Sequence, residues 1–266
     1  MNQERKVAVV TGGATTLGRE IALRLSADGF AVCILDSDAE KGNDAVKAVD
    51  EVTKGVFVQY DPARHQDAAG AMEMAYKAFG RIDALVNAAE VPGKCPAEEV
   101  TSEAFDHVMN VNVKGALFAA IAAAAYMKKN ENGGCIVNIS SIQGRIAIGE
   151  HVLYSASKGA VIAMTRELAV DLSPYNIKCN SLAIWAVDTP EAAELDDPEM
   201  RQQVLDTMLL DRLIKPGDVS EVVSFLVSQD SYCINGFDLA LDAGMTTFRI
   251  RPEFSYFDEK GKNYYN

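Results

Sequence analysis

The chain has 266 residues, 48% hydrophobic and 24% charged, enough for one large domain with a sizeable core and no need of a second. Its formal charge of −13 argues against nucleic-acid and anionic-membrane binding, which need basic patches to meet phosphate. Five scattered cysteines and three distant histidines provide neither a disulfide framework nor zinc-ligand spacing, which leaves small molecules and copies of the chain itself as expected partners.

The N-terminal sequence MNQERKVAVVTGG passes straight into a short apolar run, too brief and wrongly flanked for a signal peptide or membrane span, so a cytoplasmic location is expected. Short β-rich runs at 7–10, 31–35, 56–59, 84–86, 135–139, 177–182 and 237–241 alternate with helical patterns. That alternation predicts an α/β fold, a doubly wound parallel sheet with helices on both faces in a single domain over 1–248. Runs such as VAVV and ALV suit strands buried on both sides. Cys33, Cys135 and Cys179 lie in such runs, as reduced core thiols would.

The first strand leads into Thr11-Gly12-Gly13-Ala14-Thr15-Thr16-Leu17-Gly18-Arg19 and then a helix carrying Ile21 and Leu25. Strand, glycine-rich turn and helix together bring backbone N–H groups and a helix N-terminus up to a pyrophosphate, as in Rossmann-like folds. A mere tight turn is the plainer alternative. Asp36 ends the second strand within roughly 20 residues of the turn, where a carboxylate accepts from adenosine ribose hydroxyls and disfavours a 2′-phosphate. With Ser37 next and no Arg or Lys at position 15, NAD is favoured over NADP.

Asn112 falls four residues after Val108 and four before Ala116, on the inward stripe of a helix expected to begin near Ser102. A buried amide there must find partners, backbone groups being the simplest. Ser141 follows the strand run 135–139, so its hydroxyl is expected at the carboxyl edge of the sheet, where open α/β folds bind ligands; a turn or cap hydroxyl is the alternative. Tyr154 and Lys158 stand four apart at the start of a helical pattern continued by Val161, Met164, Leu168 and Leu172, and so share a helix face. A phenol doing proton chemistry near neutrality needs its anion stabilised by roughly 3 pH units, about 4 kcal/mol, and an ammonium has the right sign, although the spacing alone equally describes a surface pair with no chemistry.

With the glycine turn, Asn112, Ser141 and Tyr154/Lys158 all in order, the chain resembles the classical short-chain dehydrogenase/reductase family over roughly residues 5–245. The resemblance implies an NAD(H)-dependent oxidoreductase interconverting a secondary alcohol and a ketone, the compound being a polyol, sugar, hydroxysteroid or similar carbonyl compound. Tyr154 would be the proton donor or acceptor. Lys158 would lower its pKa and hold the nicotinamide ribose, Ser141 would bond the substrate oxygen, and Asn112 would position a relay water. By register it adds Gly12, Thr16, Leu17, Gly18, Asp61, Asn87, Val187 and Thr189 as cofactor contacts, and Gln143, His151 and Trp185 as substrate contacts. It also implies a homotetramer or dimer built on helices starting near Ser102 and Tyr154. The alanines at 119, 120 and 122–125 suit close helix approach there or an ordinary core helix.

The chain departs from the family pattern at three places. Thr16 replaces a glycine of the turn, and its hydroxyl can donate to phosphate. Asn87-Ala88-Ala89-Glu90 replaces Asn-Asn-Ala-Gly, and Ile184-Trp185 replaces Pro-Gly. Glu90 then either takes an unfavourable backbone conformation, pushes a carboxylate toward the ribose, or pairs with a basic group. Trp185 either fills nicotinamide space or turns outward as a wall of the substrate pocket. If these segments block the cofactor, the alternative is a non-catalytic member with a binding or assembly role. Residues 189–212, rich in Asp and Glu, read either as a loop covering the substrate or as a solvated excursion, and they disfavour polyanionic substrates. The aromatic-rich tail 249–266 either packs on a subunit or reaches over the site.

Overall fold

All seven apolar runs become strands of one parallel sheet: β1 (Val7–Thr11), β2 (Ala31–Asp36), β3 (Gly55–Gln59), β4 (Ala84–Asn87), β5 (Gly134–Ser141), β6 (Ile177–Ile184) and β7 (Asp238–Leu241), in the order β3-β2-β1-β4-β5-β6-β7. They come from a computed structural model that describes residues 5–247, and the aromatic tail at 249–266 lies outside the described residues. The strand order reverses between β1 and β4, which opens a crevice at the carboxyl ends of the strands.

Side chains alternate along each strand, and each face feeds its own core. Val32 and Ile34 pack with α1 (Thr16–Ala27), α2 (Ala39–Asp50) and α8 (Pro216–Val227). Cys33 and Leu35 pack with α3 (Ala68–Phe79), α5 (Ala116–Met127) and α6 (Val152–Leu172). Fully buried Ile34, Leu35, Leu85 and Ile136 each contribute about 1.5–3 kcal/mol. Cys33 and Cys135 are buried thiols, which burial pushes up to about 12 and about 11.

Thr15 caps α1 by accepting from the Gly18 N–H at 3.1 Å, and Asp38 caps α2 by accepting from the Lys41 N–H at 3.0 Å. The helix expected near Ser102 does start there, but it is three pieces: α4 (Ser102–Met109), a π-helical turn at Asn110–Gly115, and α5. Ala119, Ala120, Ala123 and Ala124 of α5 face the sheet and α3, so that stripe is core. A further helix, α7 (Pro198–Asp206), lies within the acidic segment.

Both β5 and β6 run two residues beyond the apolar runs that announce them, since Ser140 and Ser141 on β5 pair in register with Ala183 and Ile184 on β6, and those in turn with Ala240 and Leu241 on β7. Ser140 and Ser181 donate to Asp238 Oδ1 at 3.0 and 2.5 Å, while Arg145 binds Asp238 Oδ2 through Nε at 2.7 Å. Deeper in the sheet, Thr11 donates to Asn87, Asn87 to Asn138 at 2.9 Å, and Asn138 to Thr165 at 2.9 Å. This buried polar row ties β1, β4, β5 and α6 into one register.

Candidate active site

The first two turns of α6 end against the carboxyl end of β5. Tyr154 and Lys158 occupy one face, with the Lys158 Nζ 5.4 Å from the Tyr154 ring centroid. Lys158 is 2% exposed and donates to the Ile139 carbonyl at 3.0 Å. A buried ammonium requires an anion, and Glu90, in the loop after β4, supplies it. The Glu90 Oε2 lies 2.5 Å from Lys158 Nζ and accepts from Tyr154 Oη at 3.1 Å. Glu90 thus pairs with a basic group, and because that group is Lys158, expected to hold the nicotinamide ribose, the carboxylate also stands toward the expected ribose position. It needs no unfavourable backbone: among the described residues the non-glycine positive-φ residues are Glu150, Asn176, Ala186 and Ala243.

The Tyr154 hydroxyl also bonds Ser141. Burial, then the Glu90 charge and its hydrogen bond, push the phenol well above its usual range, with the Ser141 bond opposing them. Ser141 is both a cap and a partner of Tyr154, since its Oγ accepts from the Gln143 N–H at 3.2 Å. Asn112 sits in the π-helical turn, a distortion often found at functional sites. Its Oδ1 accepts from the Val91 N–H at 2.8 Å, and its Nδ2 donates to the Val91 carbonyl at 3.0 Å and to Ser157 Oγ at 3.1 Å. Asn112 therefore locks the residue next to Glu90, while Ser157 donates to the Tyr154 carbonyl at 2.8 Å.

Gln143 lies two residues past Ser141, and its Oε1 is buried without a partner. His151 immediately precedes α6, with Nδ1 2.6 Å from the Gly149 carbonyl, to which it donates, so Nε2 is the ring nitrogen left to face a ligand.

The glycine turn follows β1 at the same sheet edge. Gly12, at φ +67°, approaches the β4 loop so closely that a Cβ would lie 2.7 Å from Ala89 backbone atoms, and a Cβ on Gly18 would meet the Gly12 carbonyl at 2.1 Å. The N-terminus of α1 already holds a carboxylate. Glu191 Oε1 accepts from Thr16 N–H at 3.0 Å and Thr16 Oγ1 at 2.9 Å. Although partial burial raises the Glu191 carboxyl, these bonds bring it below its ordinary value. Thr189 also bonds Glu191. The turn thus offers Thr16 donors to an anionic oxygen, as a pyrophosphate site must, with Leu17 and Gly18 following in the same first turn.

Asp36 Oδ2 accepts from the Ala14 N–H and Oδ1 from the Asp38 N–H, both at 3.0 Å, so the carboxylate is fixed beside the turn. Asp61 is exposed, accepts from the Ala63 N–H at 2.9 Å, and borders a surface cavity shared with Ser37 and Arg64. Asn87 spends its side chain inside the sheet, donating to Asn138 and to the Ala116 carbonyl at 3.0 Å, and has only backbone left to present. Val187 forms a short bridge with Ile214 beyond β6.

Trp185 packs over a small core. Its Nε1 donates to Thr207 Oγ1 at 3.3 Å, and its ring packs with Leu195, Met208 and Leu213. Residues 189–212 are thereby seated on Trp185, with Arg201 paired to Asp188 at 2.7 Å. Glu191 carried no local signal in the sequence, because only the fold brings residue 191 to residue 16.

A family model described as "Enoyl-(Acyl carrier protein) reductase" matches residues 12–246. Cyclopentanol dehydrogenase of Comamonas testosteroni is 35% identical over 243 residues, 91% of this chain and 97% of the relative. The 2-(R)-hydroxypropyl-CoM dehydrogenase of Xanthobacter autotrophicus is 34% identical over 250 residues, 91% of this chain and 98% of the relative. Among solved structures, NAD+-bound xylitol dehydrogenase superposes with a TM-score of 0.85 at 30% identity, over 89% of this chain and 97% of that one.

Proposed function

Because the chain belongs to the classical short-chain dehydrogenase/reductase family and is an oxidoreductase of the secondary alcohol and ketone class, we propose that it uses NAD(H) and that Tyr154 moves the proton. The observation that carries this reading is the meeting of Tyr154, Lys158 and Ser141 at the carboxyl end of β5, beside the glycine turn. The cofactor would be held by Gly12, Thr16, Leu17 and Gly18 at its pyrophosphate. Asp36 and Asp61 would hold its adenosine half, and Lys158, Tyr154, Asn87 backbone, Val187 and Thr189 its nicotinamide half. When bound there it supplies the hydride acceptor or donor.

The remaining chemistry belongs to the chain. Ser141 donates to the substrate oxygen and fixes it beside Tyr154 Oη, which gives or takes the proton. Asn112 holds the loop carrying Glu90 and keeps the first turn of α6 in place through Ser157. Gln143 Oε1, buried and unpartnered, is an acceptor for a substrate hydroxyl, and leaving it unpaired costs about 1–3 kcal/mol. His151 Nε2 and the Trp185 wall complete the substrate side. The relatives act on alcohols including cyclopentanol, and the acidic segment 189–212 disfavours anions. A small neutral secondary alcohol such as cyclopentanol is the substrate class that fits. Exposed Phe105, Phe118, Ile121 and Val152 on α4 to α6 support association between copies.

Titration with NADH and NADPH tests the reading, and binding of neither would reject it. Asp36→Ala is expected to weaken NADH binding by about tenfold, the worth of a charge-assisted hydrogen bond, with NADPH binding weakened less or improved. An unchanged ratio of the two affinities would remove Asp36 from the ribose site. Glu191→Ala is expected to tighten NADH binding by about 2- to 5-fold, because a dinucleotide must displace the carboxylate from the α1 N-terminus, a contact of about 0.3–1 kcal/mol. Weaker binding in this variant would mean that Glu191 assists the cofactor instead of competing with it.

A further inference from the structure

Three features place the Glu90 carboxylate. Asn112 clamps both backbone groups of Val91, at 2.8 and 3.0 Å. Gly93 lies against the start of α6, where a Cβ would stand 3.0 Å from the Tyr154 nitrogen. The carboxylate itself joins Tyr154 Oη and Lys158 Nζ at 3.1 and 2.5 Å. Its side chain is 37% exposed while Lys158 is 2% exposed, so Glu90 has one edge on the reacting pair and another on solvent. The groups facing it are Tyr154 and Lys158 from α6, with the neutral Ser141 at the end of β5 behind Tyr154 and the neutral Asn112 behind Val91.

We propose that Glu90 is a further catalytic residue, the base that receives the Tyr154 proton during alcohol oxidation and returns it during ketone reduction. The role rests on the oxidoreductase chemistry proposed above. In oxidation the substrate O–H bond breaks and a new Tyr154 O–H bond forms. The original Tyr154 O–H bond breaks and an O–H bond forms at Glu90 Oε2. A nicotinamide held as proposed above would supply the hydride acceptor for the carbinol carbon, and the Glu90 proton leaves through its exposed edge. Tyr154 then never has to stand as a free phenolate, in keeping with the upward push on its ionisation.

The test compares wild type with Glu90→Gln, using Tyr154→Phe as the spectral blank. The tyrosinate band that Tyr154→Phe removes is expected about one pH unit or more lower in Glu90→Gln, because the Lys158 charge then acts on Tyr154 without a counter-ion. With cyclopentanol and NAD+, the Gln variant's oxidation rate is expected to fall about tenfold per pH unit below that new tyrosine pKa, a limb absent from wild type. Should the Gln variant not fold, Glu90→Asp keeps an anion for Lys158 but withdraws it from Tyr154, and a smaller downward movement is expected, since the carboxylate's charge and hydrogen bond no longer hold the phenol's proton. Coincident tyrosinate titrations or coincident rate profiles overturn the role of Glu90 alone. Failure of wild type to bind NADH overturns the cofactor chemistry and this role with it, a result separate from the titration.

Discussion

Tyr154→Phe is expected to lower the rate of secondary-alcohol oxidation by about 10²–10⁴-fold, the usual worth of a positioned acid or base. The phenol is the group through which the substrate proton would pass: its oxygen contacts Ser141 on one side and Glu90 on the other. Phenylalanine retains the ring and its packing, and Lys158 stays paired with Glu90 and the Ile139 carbonyl. NADH affinity is therefore expected to remain within about threefold of wild type, because the pyrophosphate end is untouched. NADH formation and NADH fluorescence, measured side by side, check the two halves of this expectation. Unchanged turnover would remove Tyr154 from the proton path. A joint collapse of turnover and binding would make it a structural residue.

Asp238→Ala is expected to cost about 3 kcal/mol of stability, lowering the melting temperature by about 6–12 °C. The carboxylate, at 3% side-chain exposure, is the meeting point of Ser140, Ser181 and Arg145. Removing it strands two buried hydroxyls and leaves the Arg145 guanidinium with the main-chain carbonyl of residue 238. Arg145 is 33% exposed and recovers part of its hydration, which holds the cost to the lower end of the range for a broken buried pair. Because β5 and β6 carry Ser141 and Ile184–Trp185 at their ends, partial loss of activity is expected alongside. A melting shift below about 2 °C would show that the serines and Arg145 find other partners.

Much of the fold was legible because parallel strands buried on both faces must be apolar at nearly every position. Runs such as 7–10 and 31–35 can serve no other purpose in a chain of this length. The strand ends were less legible. Ser140 and Ser141, past the apolar run 135–139, look like loop residues until Asp238 is seen beside Ser140 from 98 residues away and β6 beside both. The π-helical turn at Asn110–Gly115 was likewise hidden, since an apolar period runs through it without a break and no residue there marks the extra backbone turn.

Within the candidate site the same division holds. Tyr154 and Lys158 share a helix face by i,i+4 spacing, and Gly12 and Gly18 follow from the need for close backbone approach, so local sequence alone placed these pairs, while only their conjunction with Ser141 and Asn112 pointed to proton chemistry. It also marked Glu90 and Trp185 as departures, though not where they go. Tertiary structure decided that Glu90 pairs with Lys158 and accepts from Tyr154, that Trp185 roofs its own small core with Thr207, and that Glu191 reaches Thr16 from 175 residues away. Local spacing encodes which side chains share a helix face or a turn. Which charge meets which depends on how the loops after β4 and β6 lie across the sheet edge, and that is settled only when the whole chain packs.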